Sequence, residues 1–290
     1  MKEKVDYHVM QIADGIWAID EFSMAYLYVI EGTEQAVVLD AGTGVSDLKA
    51  VVEKLVQKPY IVVATHGHMD HVGGIAQFGS VYIHRADVPC FSLPEETNPV
   101  GLFKRRKFCD RAIVAYGQDA LPFSPETIQP VDMSKIQVKT YEDGDVFQLG
   151  GRTLEAIHVP AHSYGSCCFL DKEDRILFAG DNFGEALLLP LGGSDRERAE
   201  WWLSGAEKVL ARENEFDAIY AGHFCPLDRD LFYDMFTLAK KIIAGEAEPQ
   251  ICQLDEMLGP MYHYGKAYFS MDPANIQTRD YSRIKAPRHY

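Results

Sequence analysis

Apolar residues near the start of the chain come in short runs, Gly15–Ile19, Met24–Ile30 and Ala36–Leu39, broken by Asp14-Gly15 and Glu31-Gly32. Runs of this length between turn-forming pairs predict β-strands, here a meander entering a buried sheet. From Asp47 to Gln57 the spacing changes: apolar residues stand at 48, 51, 52, 55 and 56, the helical period, which predicts a helix covering that sheet. Ile61–Ala64 is a continuous apolar strand that ends directly in Thr65-His66-Gly67-His68-Met69-Asp70-His71-Val72-Gly73-Gly74. Polar, glycine-punctuated loops at strand ends are where layered α/β structures carry chemistry.

Residues from about 86 to 135 interrupt the pattern with six prolines around one helical stretch, Leu102–Tyr116, and are expected to form a partly helical inserted lid. Strands resume at Val146–Leu149, Arg152–Val159, Ser166–Leu170 and Arg175–Ala179, followed by a helix over Asp195–Ala211, a strand at Asp217–Tyr220 and a helix over Asp228–Ala244. The second half thus repeats the first: sheet, covering helix, then a strand ending in a histidine. The tail, about 247–290, is rich in tyrosine and glycine without a clear period; it is expected as a C-terminal arm packed on its own body or on a second copy of the chain, a homodimer.

Composition narrows the classes. The 290 residues are 47% apolar and 24% charged, which excludes disordered, collagen-like and coiled-coil chains. A net charge of −15 repels phosphate backbones and anionic headgroups, so nucleic acid and membrane surfaces are disfavoured and a small molecule is the expected partner. Met1–Met10 leads into no apolar core of a secretory signal, and no apolar run reaches the ~18 residues of a membrane span. The six cysteines form no CxxC pair, which points to a reduced, cytoplasmic protein.

The chemistry lies in H-x-H-x-D-H, which places four imidazole or carboxylate donors within six residues on one tight loop, a set suited to a borderline divalent metal. Three more candidates follow predicted strands: His162 in Pro160-Ala161-His162-Ser163-Tyr164, Asp181 in Ala179-Gly180-Asp181, and His223 in Ala221-Gly222-His223. His158, four residues before His162, is expected beside a ligand, and Cys225, two past His223, is a candidate to face the site. Lys104, Arg105, Arg106, Lys107 and Arg111 put five cations in eight residues of the inserted helix, with Phe108, Ala112 and Ala115 as its apolar stripe. That cluster is either a solvated face or an anion-attracting lid.

In order and approximate spacing, His66, His68, Asp70, His71, His162, Asp181 and His223 resemble the ligand set of the metallo-β-lactamase-fold hydrolases, over roughly residues 5–245. The resemblance implies an α+β fold, a four-layer αββα sandwich of two similar halves in a single domain over 1–290, with two divalent metal ions at the sheet edges. Zinc is the expected metal, and the same donors accept iron or manganese. By that resemblance His66, His68 and His162 hold one ion, Asp70, His71 and His223 the other, and Asp181 bridges them. Asp40 matches the family's buried aspartate, which orients a ligand histidine or the loop backbone without touching metal.

The chain departs from the family pattern in places. Ala161 and Ser163-Tyr164 replace the glycine and threonine-proline around the third histidine, and His68 stands where the diiron oxygen-reducing branch has glutamate. The motif by which glyoxalase II holds glutathione is not recognisable after His223. The implied reaction is hydrolysis of an ester, lactone, thioester or amide by hydroxide held on two metals. With no G-x-S-x-G elbow there is no serine nucleophile; Asp70 is the candidate for steering the hydroxide and relaying a proton, Tyr164 for donating to the oxyanion. The alternatives are an iron-dependent oxidoreductase resembling the persulfide dioxygenases, with His71, His162 and Asp181 around one iron, and a non-catalytic metal-binding sensor.

Overall fold

A computed structural model describes residues 4–223, 226–254, 257–271 and 278–279. The chain divides into two compact units: one of residues up to Glu142 with Phe147–Leu154, the other of Asp143–Val146 with the described residues from Glu155 onward.

The first unit carries a seven-stranded sheet in sequential order, β1 (His8–Ala13), β2 (Ile16–Asp20), β3 (Tyr26–Glu31), β4 (Ala36–Leu39), β5 (Tyr60–Val63), β6 (Ser80–His84) and β7 (Gln137–Tyr141). β1 to β4 pair antiparallel through tight turns, and β4 to β7 pair parallel. Parallel neighbours need crossovers, and these carry α1 (Leu48–Leu55), α2 (Met69–Val72) and α3 (Leu102–Tyr116). α1 starts where the Asp47 side chain accepts the Ala50 N–H at 3.0 Å, and it buries Leu48 and Val52 in the core that also holds Val38, Val62 and Val81.

A second sheet is ordered β13 (Ala218–Ala221), β11 (Ile176–Gly180), β10 (Cys167–Asp171), β9 (Thr153–His158), β8 (Val146–Gln148), with β10, β11 and β13 wholly in the second unit. A further sheet runs β12 (Ala186–Leu188), β16 (Ala267–Ser270), β15 (Met257–Tyr264), β14 (Gln250–Leu254), with β17 (Thr278–Arg279) paired to β15. α4 (Asp195–Leu210) opens with a reciprocal Ser194–Glu197 capping box, and α5 (Arg229–Ala244) ends at Gly245 in the left-handed conformation. Their apolar faces meet around Trp202, whose ring lies 5.5 Å from Phe236 and 5.6 Å from Phe183. Among the described residues no helix is long and apolar enough to cross a membrane.

Two expectations change here. The described part of the tail is no aperiodic arm: β14, β15 and β16 form antiparallel pairs, and Tyr262, Ala267 and Phe269 are buried in the core of their own unit. On α3 the buried stripe is Arg105, Cys109 and Ala112, not Phe108, Ala112 and Ala115. The inserted segment is also rooted in the first unit's core through Leu121, Phe123 and Ile128.

Candidate metal centre

β5 delivers the chain to Thr65, and four candidate donors follow within one turn and the short α2. Their rings crowd together: His66 lies 4.1 Å from His71 and 4.6 Å from His68 between centroids, and Asp70 Oδ2 is 3.8 Å from His71 Nε2. One buried carboxylate organises them. Asp40, at the end of β4, accepts His71 Nδ1–H at 2.8 Å, the Thr65 N–H at 2.7 Å and the Thr65 hydroxyl at 2.9 Å. With its proton given to Asp40, the Thr65 oxygen accepts His66 Nδ1–H at 3.0 Å. Asp40 thus fixes the tautomer of His71 directly and of His66 through Thr65.

In the second unit three donors converge from separate loops. Asp181, after β11, places Oδ2 3.4 Å from His162 Nε2 and 3.3 Å from His223 Nε2. His162 gives Nδ1–H to Leu188 O at 2.8 Å, so it too directs Nε2 toward the carboxylate. A single oxygen shared by two imidazoles is what a bridging position requires. Borderline donors and the engaged Nδ1 atoms of His66, His71 and His162 fit a divalent ion, and each of the seven residues is a candidate ligand by type and placement.

The remaining sequence candidates divide. Tyr164 is 56% exposed, its ring 5.8 Å from Trp201. His158 Nε2 bonds to Tyr164 O at 2.9 Å, so it braces the loop that carries His162. Cys225 lies outside the described residues. The basic run is not one surface: Arg106 and Lys107 are exposed, Lys104 is half-buried, and Arg105 is 3% exposed, its guanidinium bonded to backbone carbonyls. Burial pulls the Lys104 pKa down, while the charge of Asp70 pulls it back up.

Sequence reasoning passed over three supports. Asp87, just past β6, accepts the Gly67 N–H at 2.8 Å. A Cβ on Gly67 would lie 2.8 Å from Cys90 Sγ and 3.3 Å from Asp87 Cβ, so a larger residue between His66 and His68 would have to displace the Cys90 side chain. Glu21, fully buried, accepts the Thr43 N–H at 2.7 Å, and Thr65 joins His66 to Asp40. The only sequence signal for any of them is position at a strand end.

The profile of the metallo-beta-lactamase superfamily matches residues 20–223, a stretch holding all seven donors. The chain belongs to that superfamily and has its α+β fold. A human protein named acyl-coenzyme A thioesterase MBLAC2 is 32% identical over 195 residues, 60% of this chain and 66% of that protein. A protein of Cryptosporiopsis sp. (strain 8999) named atrochrysone carboxyl ACP thioesterase dmxR1 is 24% identical over 186 residues, 63% of this chain and 44% of that protein. The chain thus spans just under two thirds of the human relative and less than half of the other. Among solved structures, the DIM-1 metallo-beta-lactamase superposes with a TM-score of 0.56 at 15% identity, over 83% of this chain and 100% of that one.

Proposed function

We propose that the seven donors together hold two divalent metal ions, zinc by preference, and that the chain hydrolyses acyl thioesters of coenzyme A or of an acyl carrier protein. One observation carries the metal part: His66, His71 and His162 each commit Nδ1 to an acceptor, which turns a buried Nε2 to the other side of the ring, the arrangement of ligating histidines. The substrate part is supported by the names of the two thioesterase relatives.

Bound there, the metals would supply Lewis acidity, bringing a water toward ionisation near neutral pH and polarising the thioester carbonyl. Asp70 takes a proton from the attacking water and hands it to the departing sulfur, so that C–O forms, C–S breaks, and acid and thiol leave. Tyr164, exposed and backed by Trp201, donates to the carbonyl oxygen as charge develops on it. No covalent enzyme intermediate forms: the nearby Cys90 thiol is pushed up to about 12 by burial and the Asp87 charge, so it stays protonated. Lys104 is the member of the basic run that meets the substrate's anionic end, because Arg105 is bonded to carbonyls. Cys90, Cys109, Cys168 and Cys252 are thiols in no disulfide among the described residues, which suits the reducing cytoplasm.

The test joins metal analysis of protein purified without chelator to an acyl-thioester panel read by thiol release. Two metals per chain, chelator-sensitive turnover and one ¹⁸O from labelled water in the product acid are expected. Two metals without thioester turnover, or dioxygen uptake with a persulfide, would overturn it.

A further inference from the structure

Arg105 stands in the most basic stretch of the chain, yet its side chain is buried. Its guanidinium donates from Nε to Thr43 O at 2.7 Å, from Nη2 to Gly44 O at 2.9 Å and from Nη1 to Gln129 O at 2.8 Å. Burying a cation is costly unless its donors are met, and the rigid fork of arginine meets a fixed set of acceptors where lysine would not. Two of these acceptors belong to the turn that follows β4.

That turn is held at each residue. Asp40 N bonds Val63 O at 2.8 Å, Ala41 N bonds His71 O at 2.8 Å, Gly42 O accepts Gly74 N at 3.0 Å, and Thr43 N bonds Glu21 at 2.7 Å. The turn opens with Asp40 at φ +68°, a left-handed conformation that a residue other than glycine keeps only where its surroundings impose it. It has no slack either: a Cβ on Gly44, at φ +71°, would stand 2.7 Å from Gly74 Cα and 3.0 Å from Arg105 Nη2. The turn is wedged between the exit of α2 and the guanidinium.

We propose that Arg105 is a positioning residue for the metal centre: its grip on the Thr43 and Gly44 carbonyls holds Asp40 in its left-handed conformation, and through Asp40 the rings of His71 and His66. This rests on the proposed metal-holding role of those two histidines. It gives the inserted segment a function distinct from covering substrate, because α3 becomes the outer support of the ligand loop.

The experiment uses the full chain, stripped of metal and titrated with zinc against a chromophoric chelator, then with cobalt(II) for its visible spectrum. Wild type, Arg105→Lys, Arg105→Met, Asp40→Asn and the Arg105→Lys/Asp40→Asn double variant are compared, each with a melting curve of the metal-free protein. Arg105→Lys should lower the affinity of at least one site about 10-fold and alter the cobalt spectrum, the scale of a lost ligand-orienting contact. In the double variant the loss should fall short of the product of the single losses, since both act on the same rings. Wild-type affinity and spectrum in Arg105→Lys, or losses that multiply, would overturn the proposal and leave Arg105 with stability alone. If Arg105→Met does not fold, Arg105→Lys and the double variant still decide. A wild-type chain that binds no zinc refutes the metal reading itself, an outcome distinct from a wild type and an Arg105→Lys variant that bind equally well.

Discussion

Four of the seven candidate donors, His66, His68, Asp70 and His71, lie within six residues of the first unit, whereas His162, Asp181 and His223 come from three separate loops of the second. The first group is oriented by side chains: Asp40 reaches His71 directly and His66 through Thr65, and Asp87 holds Gly67 between them. In the second, His162 leans on a backbone carbonyl, and the meeting point is a donor itself, Asp181 Oδ2. A side-chain scaffold can be altered one bond at a time, and a single change there is felt by two rings. In the second unit the comparable lever is Asp181, the proposed bridging carboxylate.

Asp181→Ala should therefore have the largest effect, since it removes the oxygen shared by two imidazoles. Turnover is expected to fall by more than about 100-fold, beyond the usual loss for an outer contact, with bound metal dropping below two per chain. The melting transition of the metal-free variant should stay cooperative, because each unit has its own apolar core. Loss of that transition would make the centre structural.

Asp40→Ala is the matching cut in the first unit. It strips the acceptor from His71 Nδ1, Thr65 N and the Thr65 hydroxyl together. Metal affinity should fall about 10- to 100-fold, and stability by about 1–3 kcal/mol for each buried donor left unmet. If the two units were supported alike, His158→Ala, which frees the loop carrying His162, would cost as much; a clearly smaller loss in zinc titration is expected, since that bond reaches Tyr164 O and not a ligand ring.

This contrast also separates what the sequence disclosed from what it withheld. The regular elements were readable because their apolar runs are local: α1, Leu48–Leu55, falls within the stretch whose periodicity predicts it, and β4 is the all-buried run Ala36–Leu39. The dense string of candidate donors announced itself by spacing, and the other three candidates by their places just after predicted strands, with the resemblance joining them to the string. What stayed hidden depends on long-range contacts. β12 is three residues that pair with β16 some eighty positions later, Ala186 opposite Tyr268. Glu21 meets Thr43, Asp87 meets Gly67, and Arg105 occupies a core position of α3 where its charge disguises it as surface.

Lys104 sharpens the comparison on the substrate side. Half-buried on α3 and under the influence of Asp70, it belongs to the first unit's charged surroundings, while Arg106 and Lys107 face solvent. Lys104→Met should raise KM for anionic thioesters about 10-fold, the scale of one hydrogen bond to a charged group, with kcat and neutral substrates little changed. Arg106→Ala should do neither. Equal effects of the two variants on both substrate types would return the cluster to a solvated face.

The smallest effect concerns stability and pH. Glu21 is fully buried, and burial pushes its carboxyl up to about 8 from an ordinary 4.5; the Thr43 N–H opposes this, the Asp70 charge adds to it, and the Arg105 charge opposes it. Between pH 4.5 and 8 the folded chain thus holds a proton that the unfolded chain has released. Its contribution to stability is fully present below about 4.5 and is lost as pH rises through about 8. Glu21→Gln keeps an acceptor for the Thr43 N–H and has no proton to lose, so the variant should be the less pH-sensitive of the two. Calorimetry from pH 5 to 9 should show melting temperatures drawing apart with rising pH, the variant ahead by a few degrees at the alkaline end, at about 2–4 °C per kcal/mol for a chain of this size. The Gln side chain leaves the turn's backbone bond intact, so zinc affinity at neutral pH should hardly move. A pH-independent gap would mean that Glu21 is ionised throughout and is neutralised by the Arg105 cation, which would place an ion pair beneath the Asp40 turn.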